Sequence, residues 1–446
     1  MSISGAEILN MKKSIATASL AAISLASLNA ANTPSGLTPQ QTTKPWSVSA
    51  ALRGFYDDNY TTVPDAFARS TWGMNVVPSI KFNFPLELTY IGLSYTYDGK
   101  YYERDAVWDH THKFRFDLSH TFNETTKVDL FNDFVIAQEP EIIDSGTFVT
   151  IPLRTDGDNM RNWGGFRLTK QWSRQFSTVL GYMNRFYDYA QDAVDVRNDA
   201  VLGRPFGQGS RSALLDRVEN RINLDLRWQA LPQTVALVGY MFEDVGYTSD
   251  DPVAVNAAGV MVVKPSDRDR QSHFFFVGAD QNFTSTLNAS ARVGAQLTDY
   301  QATGASDRTT PYADADITYT YMQGSYVQFG VRHGLNSTDI GVPSVTGGGV
   351  LPTLDQQSTS LYVSWYHKLT GKLSGRVWGQ WQNSTFNGGL FDDSTDDYYA
   401  VSATLNYQLN QFLAAEVRYS YDKLDSGIPG RPYNRSRVFF GFIGSY

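Results

Sequence analysis

Residues 437–446 read Arg-Val-Phe-Phe-Gly-Phe-Ile-Gly-Ser-Tyr, and this stretch decides the fold. Val438, Phe440, Phe442, Gly444 and Tyr446 share one face, because successive side chains of a β-strand point to opposite sides. The stretch therefore predicts a strand with one apolar face and an aromatic residue at its end. An edge strand of a soluble β-domain is the alternative interpretation.

The same alternation recurs through the chain. Between residues 287 and 298, Leu, Ala and Val at odd positions alternate with Asn, Ser, Arg, Gly, Gln and Thr at even positions. Between residues 399 and 409, the apolar set begins at Tyr399 and includes Tyr407 near its other end. Each such segment has one face that suits lipid and one that suits water, with aromatic residues where a membrane surface would lie.

The composition favours a membrane β-barrel. The 446 residues are 14% aromatic and 18% charged, with 26 Tyr and 26 Phe. Beyond residue 30 we find no uninterrupted apolar run of the roughly eighteen residues that a membrane helix needs. A barrel places its lipid-facing residues at every second position, so it stays polar on average while its aromatic content is high. The composition therefore argues against a helical membrane protein.

Short turns and long polar segments alternate along the chain and set the number of strands. Eight tight turns are predicted, near 84–86, 123–125, 173–175, 231–233, 284–285, 323–324, 370–372 and 410–411. Nine longer, more polar segments are predicted at 57–69, 103–109, 139–157, 190–211, 248–267, 301–310, 337–355, 387–397 and 422–436. These numbers predict an all-β, antiparallel transmembrane barrel of about eighteen strands, sixteen being the alternative, with short periplasmic turns and long extracellular loops.

The first part of the chain is predicted to lie outside the barrel. Met11-Lys12-Lys13 and the Ala- and Ser-rich stretch to Leu28 have the layout of a secretory signal peptide. We therefore interpret residues 1–30 as a signal peptide with its true start at Met11, and residues 31–44 as a flexible periplasmic leader. Residues 45–446 would form the barrel as one domain.

Seven short motifs carry a resemblance to a known family. They are Tyr56-Asp57-Asp58-Asn59, Gly92-Leu93-Ser94-Tyr95-Thr96-Tyr97, Gln138-Glu139-Pro140, Arg154-Thr155-Asp156-Gly157-Asp158-Asn159, Tyr312-Ala313-Asp314-Ala315, Gly324-Ser325-Tyr326-Val327-Gln328 and Asn383-Ser384-Thr385-Phe386. With these motifs the chain resembles a family of outer-membrane β-barrel porins of Gram-negative bacteria. The resemblance implies a pore in the bacterial outer membrane. Related proteins are sometimes linked to exopolysaccharide export.

The final strand is also similar to the signal that the barrel-assembly machinery reads during membrane insertion. On this resemblance Phe440, Phe442 and Tyr446 are the candidate insertion signal. Phenylalanine is the commoner last residue of that signal, so the terminal tyrosine departs from the usual pattern.

These observations predict a porin or channel for passive diffusion of small hydrophilic solutes or ions. A barrel associated with exopolysaccharide export, or a non-conducting structural barrel, is the alternative. Outer-membrane lipids and the assembly machinery are the expected partners. A net charge of -8 argues against binding nucleic acid. A homotrimer is compatible with the sequence, because apolar residues that face lipid and apolar residues between subunits look alike.

A ladder of charged residues is the strongest candidate for the pore lining. Arg217, Glu219, Arg221, Asp225 and Arg227 alternate with an apolar face. An arginine at the lipid midplane costs about 2–4 kcal/mol, so the ladder is predicted to face a water-filled lumen. Two uses stay open, since these charges could select ions and sugars or pair with one another across the lumen.

No catalytic or cofactor site is predicted. His110, His112 and His120 share one face with Phe114 and other apolar residues, so a place at the membrane interface is favoured over a metal site. Adjacent Ser-His pairs at 119–120 and 272–273 point to opposite faces of a strand and cannot act together within it. Cysteine is absent, which excludes thiol ligands and nucleophiles. The chain is therefore not expected to be an enzyme.

Overall fold

A computed structural model describes residues 44–138, 157–192, 209–255, 261–342, 344–346 and 349–446 of the chain. Eighteen antiparallel strands form one sheet that closes on itself. Within the described ranges, no helix has both the length and the apolar character needed to cross a lipid bilayer. The predicted signal peptide and nearly all of the predicted leader lie outside the described residues.

The strands, in chain order, are β1 (Trp46–Asp57), β2 (Thr71–Pro85), β3 (Thr89–Tyr102), β4 (Val107–Asn123), β5 (Thr126–Ala137), β6 (Asn159–Gln171), β7 (Phe176–Tyr189), β8 (Arg217–Leu231), β9 (Thr234–Tyr247), β10 (Ala254–Val255), β11 (Met261–Val263), β12 (Arg270–Asn282), β13 (Leu287–Tyr300), β14 (Arg308–Met322), β15 (Ser325–Asn336), β16 (Ser344–Thr346), β17 (Gly349–Leu351), β18 (Asp355–Lys368), β19 (Leu373–Asn387), β20 (Thr395–Gln408), β21 (Leu413–Ser426) and β22 (Tyr433–Ser445). Two short hairpins, β10 with β11 and β16 with β17, lie in loops, and the other eighteen strands form the barrel. A short helix, α1 (Arg211–Leu215), precedes β8, and single 3-10 turns cover Asp65–Phe67 and Pro265–Arg268.

The first and last strands close the barrel. β1 pairs with β2 on one side and with β22 on the other. The backbone N–H of Tyr446 donates to the carbonyl oxygen of Val48 at 2.9 Å, and the ring of Trp46 lies 5.7 Å from that of Tyr446. The closing strand predicted from residues 437–446 is therefore confirmed.

The eight predicted tight turns all lie between barrel strands, at what we call the short-turn end. Ser173, Thr284, Thr370 and Asn410 begin four of these turns. In each, the side-chain oxygen accepts hydrogen bonds from the backbone N–H groups two and three residues later. Such side-chain caps satisfy backbone donors where the strand ladder stops, which is why small polar residues mark these positions in the sequence. Gly324 reverses the chain between β14 and β15 with φ +73°, a conformation that suits glycine.

The nine longer connections join strands at the opposite end, called here the long-loop end; most of the predicted loops 139–157 and 190–211 lies outside the described residues. Predicted loop segments extend into strands at 107–109, 308–310 and 395–397, and most of all within 422–436. Residues 422–436 were expected to form a loop, but β21 continues to Ser426 and β22 begins at Tyr433. Ion pairs inside the barrel explain the error, because Asp422 pairs with Arg437 at 2.8 Å and Arg435 pairs with Asp57 at 2.5 Å. Charges that suggested a loop are partnered within the strands.

The outer face of the barrel is apolar. Large side chains such as Leu226, Val277, Val293, Phe329 and Phe440 are about half exposed there. Near the short-turn end, the outward residues include a ring of aromatic side chains, with Trp46, Trp228, Tyr321, Tyr407 and Tyr446 as members. An apolar band that ends in aromatic residues is the surface of a membrane-spanning barrel.

Candidate functional site: the barrel interior

The charged ladder of β8 points into the barrel. Arg217 donates to Glu219 at 2.8 Å and to the carbonyl oxygen of Leu215 at 2.8 Å, and its guanidinium lies 3.9 Å from the ring centre of Tyr187. Glu219 also pairs with Arg185 of β7 at 3.4 Å. The charges therefore pair along one strand and between neighbouring strands.

Further along β8, towards the short-turn end, the ladder residues pair with charged residues of β9 and β12. Arg221 is in hydrogen-bond contact with Glu243, which also lies 3.8 Å from Arg270. Arg227 lies 3.9 Å from Asp225 and 3.5 Å from Asp280. Pairs of this kind lower the energetic cost of holding charges in a partly desolvated interior.

The alternation of opposite charges extends over the neighbouring strands. Arg115 pairs with Asp117 at 2.7 Å and with Asp133 at 2.8 Å, and Asp129 pairs with Lys127 at 2.7 Å. We call this surface the charged wall; its members are Arg115, Asp117, Lys127, Asp129, Asp133, Arg167, Arg185, Arg217, Glu219, Arg221, Asp225, Arg227, Glu243 and Asp280. Several of its side chains keep a fifth to two fifths of their surface exposed, so water reaches this part of the interior.

The interior surface of β18 to β20 has a different chemistry. Apart from Lys368, Arg376 and Asp396 nearer the strand ends, its inward side chains are uncharged, and most of them are buried. We call it the neutral wall; its members are Ser358, Ser360, Tyr362, Ser364, Trp378, Gln380, Gln382, Ser384, Tyr398, Ala400 and Ser402. Ser358 and Ser384 share a hydrogen bond of 2.8 Å, and Gln382 donates to Ser384 at 3.0 Å. Short hydrogen bonds between neutral groups therefore hold this wall together.

At the long-loop end, one buried arginine joins three loops. The Arg268 side chain is 0% exposed. Its guanidinium donates to the carbonyl oxygens of Leu214 at 2.7 Å, Thr338 at 2.7 Å and Thr353 at 3.0 Å. It also lies 4.6 Å from the ring centre of Tyr247. Because a guanidinium presents several donors in one plane, a single side chain can satisfy three carbonyl groups from two other loops.

A second arginine fixes a fourth loop to this assembly. Arg431 donates to Asp339 at 3.0 Å and to Asp396 at 2.9 Å, and it is almost fully buried. Asp339 also lies 3.5 Å from Arg211 of α1. The described parts of the loops that contain Arg211, Arg268, Asp339 and Arg431 therefore form one body, which we call the loop cap.

The loop cap covers part of the barrel mouth. Inward-facing Tyr189 of β7 belongs to a buried cluster with loop residues Leu214 and Val253. Inward-facing Phe386 of β19 is buried against loop residues Ile340 and Ile428. Since these strand residues point into the barrel, the loops that bury them must fold over its opening.

A carboxylate at the edge of the loop cap has an unusual acidity. Asp216 accepts hydrogen bonds from the backbone N–H of Tyr189 at 2.7 Å and from the hydroxyl of Ser212 at 2.6 Å. Burial raises the pKa of Asp216 to about 6, although both hydrogen bonds act in the opposite direction. The charge of the loop cap therefore changes in mildly acidic conditions.

The other residues singled out by sequence lie on the outside. His110 and His112 face outward and contact the hydroxyl groups of Tyr97 at 2.7 Å and Tyr95 at 2.9 Å. His120, also outward, contacts Thr89 at 2.7 Å. The described residues hold no group of three potential metal ligands.

The candidate insertion signal is exposed on the same apolar surface. Phe440, Phe442 and Tyr446 are each exposed by between two fifths and three fifths. The first two stack edge to face at 5.7 Å. The position suits a sequence that is read before or during insertion, and that role stays a prediction.

Sequence reasoning missed Arg268 and Arg431, which organise the loop cap. Both lie in segments that the sequence marks only as polar loops. Arg268 contacts residues 54, 70 and 85 positions away. The sequence signal that could have indicated the loop cap is a set of apolar residues within otherwise polar loops, namely Ala213, Leu214, Val253 and Ile340.

Comparison with known protein families gives one match. The family described as "Putative beta-barrel porin 2" matches residues 356–444, which run from β18 to β22. The resemblance to outer-membrane β-barrel porins is thereby confirmed for this part of the chain. No curated protein matches the chain in sequence.

Several solved structures are similar to the chain at low identity. The outer membrane protein OpdK from Pseudomonas aeruginosa is 12% identical, with 90% of this chain and 99% of that chain covered and a TM-score of 0.45. OccK9 (OpdG) from the same organism is 13% identical, with 90% and 98% covered and a TM-score of 0.44. The siderophore receptor PirA from Acinetobacter baumannii is 8% identical, with 91% and 81% covered and a TM-score of 0.44. At TM-scores below 0.5 these likenesses carry no conclusion about this chain.

Proposed function

We propose that this protein is an outer-membrane channel through which small hydrophilic solutes or ions diffuse passively. The observation that carries the proposal is the contrast between an apolar outer face and a charged wall whose side chains are partly exposed inside the barrel. Charged groups keep such exposure only where water reaches them, and a hydrated path across a membrane conducts. The proposed activity is passage, not catalysis.

The loop cap would set the width of the path. Its loops lie against inward residues of β7, β9 and β19, while the inward residues of β4 to β6 are more exposed. Solutes would therefore pass along the charged wall. Of the ladder residues, Arg217, Glu219 and Arg221 would lie beside this path near the long-loop end, and Asp225 and Arg227 would lie nearer the short-turn end.

The test is the single-channel conductance of the refolded chain from Ala31 to Tyr446 in a planar bilayer, with a salt gradient to read ion selectivity. We expect discrete conducting steps with a measurable reversal potential. A chain that forms a folded, heat-modifiable barrel and never conducts would exclude the channel. Passage of an uncharged sugar into liposomes then measures the solute range.

A substitution in the loop cap tests whether the cap limits the conductance. Arg268→Met removes the donors to three carbonyl oxygens, so we expect a looser cap and larger conductance steps. Arg174→Met, in an exposed turn at the short-turn end, is the matched control and should conduct like the unmodified chain. Unchanged steps in Arg268→Met would mean that the loop cap does not narrow the path.

We further propose that Phe440, Phe442 and Tyr446 form the insertion signal for the barrel-assembly machinery. Their exposure on the closing strand supports this role. Replacing Tyr446 by Ala should slow assembly into membranes that contain the machinery, while unassisted refolding in detergent should be unchanged. Equal slowing in both would show a folding effect instead.

The assembly of the barrel also belongs to the proposal. A homotrimer is the assembly considered from sequence, and polar side chains on the outer face are positions where copies could meet. Within the described residues we find no feature that favours the export-linked or the structural alternative. Outer-membrane lipids would contact the rest of the apolar face.

A further inference from the structure

A group of asparagines interrupts the apolar outer face of the barrel. Asn132 of β5, Asn162 of β6, Asn184 of β7 and Asn220 of β8 lie on four adjacent strands. Each alternates with inward residues of the interior, such as Asp133, so each asparagine points outward. We call these four residues the asparagine patch.

Hydrogen bonds join the four side chains in two pairs. Asn132 and Asn162 exchange hydrogen bonds of 2.9 Å and 3.2 Å. Asn184 donates to the Oδ1 atom of Asn220 at 2.9 Å, and Tyr182 donates to the same atom at 2.9 Å. These bonds leave the Oδ1 atom of Asn184 and the Nδ2 group of Asn220 without a partner among the described residues.

A glycine shapes the first pair. Gly164 faces outward on β6, opposite its strand partner Asn132 and two residues after Asn162. A Cβ atom at position 164 would lie 2.4 Å from the Oδ1 atom of Asn132, which is closer than such atoms can approach. The glycine therefore leaves room for the Asn132 side chain to lie flat and reach Asn162.

The asparagine patch lies in the part of the apolar band nearer the long-loop end, with apolar outward residues on both sides of it. On all four strands apolar outward residues separate the asparagine from the long-loop end; they are Phe134 and Ile136 on β5, Met160 on β6, Phe186 on β7, where Asp188 lies beyond it, and Val218 on β8. Apolar outward residues follow on the other side as well; they are Leu130, Phe166, Leu180 and Ile222. Lipid chains offer no hydrogen bonds, so polar groups at this depth require a protein partner.

We propose that the asparagine patch is the interface with a second copy of this chain. A carboxamide carries both donors and an acceptor, so the unpartnered groups of one copy complement those of another. Polar side chains that hydrogen-bond between neighbouring proteins stabilise association within a membrane, where apolar residues gain nothing by leaving lipid. The surrounding Leu130, Phe166 and Ile222 would pack around this polar centre. The inference rests on the proposed membrane location.

The experiment uses the absence of cysteine from the chain, since any introduced cysteine is then unique. Ile222→Cys places a thiol beside Asn220 on the outer face, where Ile222 is 48% exposed. Val401→Cys is the matched control, since Val401 is 45% exposed on β20, eight strands away around the barrel. A short bis-maleimide is applied to the full chain in its native membrane, and cross-linked copies are resolved by electrophoresis without boiling.

We expect Ile222→Cys to cross-link to a second copy and Val401→Cys to remain monomeric. The length of the cross-linked ladder and the mass of the solubilised protein then separate a dimer from the trimer. Adding Asn184→Leu and Asn220→Leu together should lower the cross-linked fraction by roughly fivefold, as the loss of one or two hydrogen bonds predicts. Because these two positions face outward, the barrel should stay folded and heat-modifiable.

Three results would overturn the proposal. They are equal cross-linking at both cysteine positions, a monomer by mass in mild detergent with no cross-link at position 222, and a cross-link at position 222 to a different protein. Conductance recorded from the same preparation separates this proposal from the channel. Monomers that conduct would contradict only the proposed interface. Multimers that do not conduct would contradict only the proposed channel.

Discussion

The charged wall and the neutral wall line the same barrel interior with different physics. Charges such as Arg115 and Lys127 keep part of their surface in water and find partners on the next strand, whereas Trp378 and Gln382 are packed almost out of contact with solvent. A charged side chain is stable in a barrel interior when water and an oppositely charged group compensate for its lost hydration. A neutral side chain can be packed closely without that compensation. The barrel interior therefore has a wet side around Arg115 and Lys127 and a packed side in the neutral wall. Arg217, Glu219 and Glu243 of the charged wall are themselves buried and depend on their ion pairs.

A charge placed on the packed side should have the largest effect. Gln382→Glu would bury a carboxylate at a site that is 2% exposed and surrounded by neutral groups. We expect the free energy of unfolding to fall by about 4 kcal/mol, because the carboxylate loses its hydration at this buried site. Urea unfolding of the refolded barrel in detergent measures the change.

Asn223→Asp is the matched substitution in the charged wall, since Asn223 lies between Arg221 and Asp225 on the inward face of β8. It should cost less than about 1 kcal/mol. Similar losses in the two variants would mean that the division into a wet side and a packed side is wrong.

Removing an aromatic ring from each wall tests packing without charge. Trp378→Ala opens a cavity in a cluster with Tyr398 and Ala400, so we expect a loss of about 3 kcal/mol. Trp163→Ala removes a ring that lies 4.7 Å from the guanidinium of Arg185 in the charged wall, and a loss of about 1–2 kcal/mol is expected. The same urea titration compares the two, and a larger loss in Trp163→Ala would reverse the assignment of the packed side.

A substitution in the charged wall should change selectivity more than stability. Glu243→Gln removes the carboxylate that Arg221 and Arg270 share. We expect the reversal potential in a salt gradient to move towards anions, with about 2 kcal/mol of stability lost, because Arg221 stays partly exposed to water. The control is Gln380→Asn in the neutral wall, which should leave selectivity unchanged. An unchanged reversal potential in Glu243→Gln would place the ion path away from the charged wall.

The smallest effect concerns pH at the junction of the charged wall and the loop cap. The pKa of Asp216 is raised to about 6 in the folded protein, so the folded state binds a proton that the unfolded state releases between pH 4 and 6. Stability should therefore rise by about 1 kcal/mol as the pH falls from 7 to 5. Asp216→Asn should remove this contribution, as measured by urea unfolding at the two pH values. An equal pH dependence in the variant would assign it to another group.

Most of the barrel could be predicted because its pattern is local. The strand period of two assigns Arg217 and Arg221 to one face and Ile222 and Leu224 to the other, wherever the strand lies. Turn residues such as Thr284, Thr370 and Asn410 mark the reversals, because their side-chain oxygens accept hydrogen bonds from the backbone two and three residues later. The boundary error at 422–436 arose where charged residues have partners inside the barrel, with Asp422 paired to the adjacent strand and Arg435 paired to β1 at the other end of the chain.

The candidate site was only partly predictable, since the sequence does not say which groups meet. Asp57 and Arg435 are 378 positions apart and pair because β1 and β22 are neighbours after closure. The four asparagines of the asparagine patch are isolated in the chain and meet only through the registers of β5 to β8.

The sequence by itself therefore determined the strands, the turns, the direction of each side chain and the even strand number. These follow from the geometry of an extended backbone and from side chains a few residues apart. Only the tertiary structure decided the loop cap around Arg268, the separation of the two walls and the pairing of each charge. Such contacts form only when the barrel closes and brings together segments that are far apart in the chain. No pattern among neighbouring residues indicates which of these segments will meet.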